Sequence, residues 1–105
     1  MKAIKLLLAL LLTGITAAQA QTITGKLIDE TNVPLEYANI ILLNPTDSSF
    51  VQGTITNTDG DFILDKVNGK TYILKASSVG YKTIYKKCQS GNIGTLTLKS
   101  DAILL

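Results

Sequence analysis

Polar and apolar side chains alternate over residues 22–29, with Ile23 and Leu27 on one face, and the run stops at the polar Glu30-Thr31-Asn32. A period of two is the mark of a half-buried strand. Pro34 falls in the connection that follows, where its missing N–H costs nothing. Residues 37–44 are almost continuously apolar through Ile40-Ile41-Leu42-Leu43, as in a strand covered on both faces, and Asn44-Pro45-Thr46-Asp47 ends them with turn residues. Residues 50–56 alternate through Val51 and Ile55 around Gly53. Asn57-Thr58-Asp59-Gly60 comes next, and Asp-Gly between two alternating runs predicts a tight hairpin. Its return strand spans 61–66, with Phe62 and Leu64 on one face. Asn68-Gly69 is a second hairpin-type dipeptide, leading into a strand over 71–79 in which Tyr72, Leu74 and Ala76 oppose Ile73, Lys75 and Ser77. Gly80 breaks that strand, 81–87 forms another, and Ser90-Gly91-Asn92 turns into a last one at 94–99. No window sustains the 3-and-4 spacing of an amphipathic helix. Strands about ten residues apart, joined by short connections, predict an all-β chain, a seven-stranded antiparallel β-sandwich.

The first twenty residues read differently. Lys2 and Lys5 precede an unbroken apolar run from Leu6 to Leu12, and Ala18-Gln19-Ala20 supplies a small-x-small cleavage pattern. These three regions in order predict a signal peptide over 1–20, cut before Gln21, and hence an exported protein. A spanning helix needs about twenty apolar residues, and Thr13, Gly14 and Thr16 interrupt this run. A lipoprotein would need a cysteine just after the run, whereas the chain's one cysteine is Cys88. The sandwich therefore occupies 21–100, and 101–105, with Ile103-Leu104-Leu105, reads as the start of a linker or of a truncated continuation.

Composition narrows the chemistry. The 105 residues include no His, no Arg, no Trp and one Cys. Without His there is no Ser-His-Asp or Cys-His relay and no His-ligated zinc. One Cys makes neither a disulfide framework nor a thiolate cluster. The absence of Arg argues against a nucleic-acid reader, which leans on bidentate guanidinium contacts. Once Lys2 and Lys5 leave with the signal, eight Lys face eight carboxylates, so the basic balance of the precursor is no binding surface. In an oxidising compartment, Cys88 reads as a buried small hydrophobe rather than a reactive or intermolecular thiol.

Three constellations are candidate sites. Asn57, Asp59 and Asp61 alternate as oxygen ligands do in a calcium loop, but Gly60 is fourth and Asn68 twelfth, where an EF-hand wants Gly sixth and Glu twelfth. Turn chemistry accounts for Asp-Gly without a metal. Asp29 and Glu30 are adjacent, and neighbours on a strand point to opposite faces, which is poor geometry for an acid–base pair. Tyr37, Tyr72, Tyr81 and Tyr85 could make a sugar-stacking platform, although half-buried strand positions are the commoner use of Tyr. No catalytic residue, cofactor or metal is assigned.

Gly25-Lys26-Leu27-Ile28-Asp29-Glu30 followed by Val33-Pro34-Leu35-Glu36-Tyr37-Ala38-Asn39-Ile40 resembles the opening of carboxypeptidase regulatory-like domains. Thr54-Ile55-Thr56-Asn57-Thr58-Asp59-Gly60-Asp61-Phe62 is similar to that family's T-x-T-x-x-x-G-x-F element, and Asn68-Gly69-Lys70-Thr71-Tyr72-Ile73-Leu74 with Gly80-Tyr81-Lys82 to its later ones. The resemblance implies a transthyretin-like, Greek-key sandwich without catalytic zinc ligands. It also implies a setting: such domains commonly stand at the N-terminus of outer-membrane β-barrel, TonB-dependent receptors, in the periplasm, ahead of a plug and barrel. The expected function is thus a non-catalytic exported module that docks and spaces, its partner a protein or the covalently continuing plug and barrel. The alternative is a free-standing domain that binds a glycan or peptide.

Overall fold

The computed structural model describes residues 21–101. The signal-peptide expectation and the Ile103-Leu104-Leu105 cluster lie outside them. Seven strands follow in order: β1 (Gln21–Asp29), β2 (Asn39–Leu43), β3 (Phe50–Ile55), β4 (Asp61–Val67), β5 (Tyr72–Ser77), β6 (Ile84–Cys88) and β7 (Gly91–Leu98). They form a three-stranded sheet in the order β4-β1-β7 and a four-stranded sheet in the order β3-β2-β5-β6.

The inner faces are those the alternation picks out. Ile23 and Leu27 of β1, Phe62 and Leu64 of β4, and Tyr72, Leu74 and Ala76 of β5 are all buried. They meet Ile40 and Leu42 of β2 and Leu96 and Leu98 of β7 in one core. Burying such side chains is the main favourable term for a chain this small. The outward pair on β2, Ile41 and Leu43, is half-buried. Its cover comes from its own sheet: Leu43 sits across from Ile73 and Phe50. The Phe50 ring and Ile41 both lie against Gly53, whose absent side chain leaves them room.

β4 runs one residue past its predicted end. Leu64 pairs with Ile23 and Val67 with Gln21, so β4 spends one extra residue on that interval. This is a bulge, with Lys66 at a φ of 56°. The bulge returns Val67 to the core after two exposed residues, which is why simple alternation loses the strand at Lys66.

The connections differ from expectation in where they lead. β3 and β4 lie in different sheets, so Asn57–Gly60 is an inter-sheet corner and not a hairpin. The same holds for Asn68-Gly69 between β4 and β5 and for Gln89-Ser90 between β6 and β7; Gly91 and Asn92, expected in the turn, already belong to β7. Only β2–β3 and β5–β6 are consecutive antiparallel pairs. A turn signal reports that the chain reverses. Pairing alongside and crossing to the facing sheet satisfy it equally.

One pairing departs from the antiparallel rule. β1 and β7 are parallel neighbours, with Leu27 opposite Leu96 and Asp29 opposite Leu98. Direction reverses at every connection, so the first and seventh strands must run the same way once they sit side by side. The described chain therefore enters at one end of the sandwich, at Gln21, and leaves at the other, at Asp101. We call these the entry end and the exit end.

Candidate functional site

Four loop segments meet at the exit end: 30–38, 56–60, 78–83 and 99–101. Hydrogen bonds tie them to one another. Thr56, 1% exposed, is the central clamp. Its hydroxyl donates to the Leu35 carbonyl (2.5 Å) and accepts from the Ala38 amide (2.9 Å). The Tyr37 amide donates to the Thr56 carbonyl at 3.0 Å. Gly60 holds the corner against β1, its carbonyl accepting from the Leu27 amide at 2.8 Å. Asn57 shapes that corner, its Oδ1 accepting from the amides of Asp59 and Asp61, each at 2.9 Å. At the last loop, Glu30 Oε1 accepts from the Ser100 amide (3.1 Å) and the Gly80 carbonyl from the Asp101 amide (2.9 Å).

Asp29 organises the β1–β2 loop. Its Oδ1 accepts from the Thr31 amide and hydroxyl (2.8 and 2.7 Å) and from the Val33 amide (3.0 Å), and its Oδ2 from the Tyr81 hydroxyl (3.3 Å). Donors around a carboxylate favour its charged form. The Thr31 hydroxyl foremost, then the Val33 amide, holds Asp29 below its ordinary range. Tyr81 is pushed the other way, first by desolvation and then by the Asp29 charge. Both effects describe a braced loop rather than an acid–base pair. Asp29 is engaged by its own loop and Glu30 by Ser100, so the two adjacent carboxylates do not converge.

The other sequence candidates are dispersed. Asn57 Oδ1 is occupied by backbone donors, and among the described residues no three Asp, Glu, Cys or His gather as metal ligands would. Tyr72 is buried, its hydroxyl donating to Asn68 Oδ1 at 2.7 Å. Tyr85 is exposed on the outer face of β6, Tyr81 braces Asp29, and Tyr37 stands exposed at a φ of 58°. They form no shared platform. Cys88 lies in the core beside Tyr72, 6% exposed, and burial pushes its thiol up against a small opposing pull from Lys86.

A feature absent from the sequence reading is a shallow cleft of about 340 Å³ on the outer face of the three-stranded sheet. Thr24, Lys26, Asp61, Ile63, Asn92 and Thr95 line it. Register explains the grouping: Lys26 faces Asp61 on one side and Thr95 on the other, and Thr24 faces Ile63 and Asn92. A register slip between Thr24 and Lys26, beside Gly94 at a φ of 85°, dents the sheet there. The sequence signal was the outward phase of these residues, but without knowing that β1 sits between β4 and β7 nothing brings them together.

Comparison with known proteins bears on the whole sandwich. The family model described as the carboxypeptidase regulatory-like domain matches residues 22–100. No curated protein matches the chain. Among solved structures, the pilus 2b backbone protein of group B streptococcus is similar with a TM-score of 0.62 and 19% identity, over 78% of this chain and 42% of that one. The shaft pilin of Lactobacillus rhamnosus GG gives 0.64 and 16%, over 84% and 50%. The 3-chlorocatechol 1,2-dioxygenase of Rhodococcus opacus 1CP gives 0.59 and 11%, over 80% and 60%. This chain thus spans less than two thirds of each of them. At such identities, with fibre subunits and an enzyme side by side, the likeness establishes the fold and nothing finer.

Proposed function

The chain belongs to the carboxypeptidase regulatory-like domain family, and from that premise we propose that it is a non-catalytic, exported docking and spacing module, the periplasmic N-terminal domain of an outer-membrane β-barrel receptor of the TonB-dependent kind. The observation that carries this reading is the parallel β1–β7 pair. It sets the two ends of the described chain at opposite ends of the sandwich, so segments joined to them are held apart by the length of a β-strand, roughly 25 Å for eight residues. The exit end is braced for such a task, because every loop there is tied to a neighbour by the hydrogen bonds of Thr56, Gly60, Glu30 and Asp29. The carboxylates of the exit end serve this bracing, Asp29 taking the hydroxyls of Thr31 and Tyr81 and Glu30 the Ser100 amide.

The test is an immunoblot of fractionated cells of the source, using antibody raised against the sandwich. A band of several hundred residues in the outer membrane supports the receptor reading; a small soluble periplasmic band overturns it. The Lys26–Asp61–Asn92 cleft favours the second reading, a free-standing binder of a polar ligand such as a glycan. Saturable glycan binding lost in Asp61→Ala, together with the small periplasmic band, would decide for that alternative.

A further inference from the structure

The exit end carries apolar side chains that nothing in the sandwich covers. Val79 is 100% exposed, Tyr37 68%, and Ile55 and Val33 more than half. Singly exposed apolar residues are ordinary, but several sharing one end mark a contact surface. Charge says what that surface meets. Asp29, Glu30, Glu36, Asp59 and Asp101 belong to this end, against Lys82 and Lys99. The entry end leans the other way: Lys66, Lys70 and Lys87 stand there against Asp47 and Asp65, beside the exposed ring of Phe50. Lys26 and its partner Asp61, like Lys75 and Lys86, lie in mid-strand.

We propose that the exit end of one copy docks on the entry end of a second copy, so that sandwiches associate head to tail. The charge totals of the described chain balance, so whole copies do not repel, while exit against exit or entry against entry sets like charges together. A two-fold dimer through either end is therefore disfavoured. A contact between different surfaces does not close on itself, and assemblies lengthen with concentration. The apolar residues supply the contact and the charges its polarity. The proposal uses exposed side chains of the described sandwich and is tested on the isolated exported chain, so its outcome and that of the fractionation are read separately.

Sedimentation velocity on the purified, exported chain, from micromolar to millimolar concentration, tests it. Two double variants neutralise one end each: Glu36→Gln with Asp59→Asn at the exit end, and Lys70→Gln with Lys87→Gln at the entry end. All four side chains are exposed, so folding is expected to survive, and circular dichroism checks that it does. The unsubstituted chain should associate with a broad, concentration-dependent distribution that shrinks as salt is added. Each variant alone should associate about fivefold more weakly, as two exposed charge pairs imply. An equimolar mixture of the two should associate more strongly than either variant alone, with two-copy species dominant, because one intact exit end meets one intact entry end. A chain that stays monomeric throughout overturns the proposal and leaves the exit end to a different partner. Association indifferent to salt and to both variants, or a mixture no stronger than its components, overturns it equally.

Discussion

Replacing Gly60 by alanine places a methyl group where the backbone leaves no room for one. Gly60 has a φ of 77°, in the left-handed region, and it is buried. A Cβ there strikes the Leu27 carbonyl oxygen and comes within 3.3 Å of Pro34 Cβ. The left-handed conformation alone costs an L-residue roughly 1–2 kcal/mol. Because the obstacle is backbone, relief requires β1 and the corner to separate. That strains the Leu27 amide to Gly60 carbonyl bond (2.8 Å) and the Leu35 amide to Leu27 carbonyl bond (3.0 Å). Weakening those two bonds adds about 1 kcal/mol each at most, so Gly60→Ala should cost about 3 kcal/mol. Gly80 is the internal control: its φ is 87°, yet a Cβ there meets nothing within 4 Å. Gly80→Ala should cost only the conformational share, about 1 kcal/mol. Urea denaturation of the two variants and the parent, comparing midpoints at unchanged slope, reads both numbers. If the two costs agree to within about half a kcal/mol, the clash with β1 is not what demands glycine at position 60, and the reasoning fails.

Thr56→Val, nearly isosteric, strands the Leu35 carbonyl and the Ala38 amide and should cost roughly 2–4 kcal/mol, whereas Thr56→Ser keeps both bonds and should cost well under half of that; faster amide exchange at Ala38 in the valine variant alone checks the cause. Asp29 binds its proton more weakly when folded than its ordinary value of 3.8, so its stabilisation is present above that value and is lost as pH falls through the lower, folded value. Asp29→Asn should therefore flatten the acid limb of the stability curve below pH 3.8 while changing little in its slope near neutrality, as pH-dependent urea midpoints would show. Cys88, buried and with its thiol pushed up, should react with an aromatic disulfide reagent only as fast as the protein opens, and adding denaturant should bring the rate to that of a free thiol; prompt labelling of the native chain would contradict the burial.

The sequence by itself placed seven strands and, for β1, β4 and β5, the face that turns inward. Ile23, Leu64 and Leu74 sit in the core because a pleated chain points alternate side chains to opposite sides, a local rule needing no knowledge of neighbours; the continuously apolar β2 carries no such signal, and packing turned Ile40 inward. It also placed a turn at Asn57–Gly60, where the structure gives Gly60 its positive φ and Asn57 an amide oxygen that accepts from Asp59 and Asp61. That no His-based relay is available was legible in a bare inventory. Tertiary structure decided the rest. Asn57–Gly60 and Asn68-Gly69 cross between sheets because the inner face of β4 must oppose the sheet that holds β3 and β5, a demand that no turn residue encodes. The bulge at Lys66 exists because Val67 has a core to return to. The grouping of Lys26, Asp61 and Asn92 depends on β1 lying between β4 and β7. So does the parallel β1–β7 contact: six reversals, an even number, make the two strands co-directional, but only packing makes them neighbours. That contact sends the chain in at one end and out at the other. It collects carboxylates that lie as much as seventy residues apart, such as Asp29 and Asp101, onto one end of the molecule.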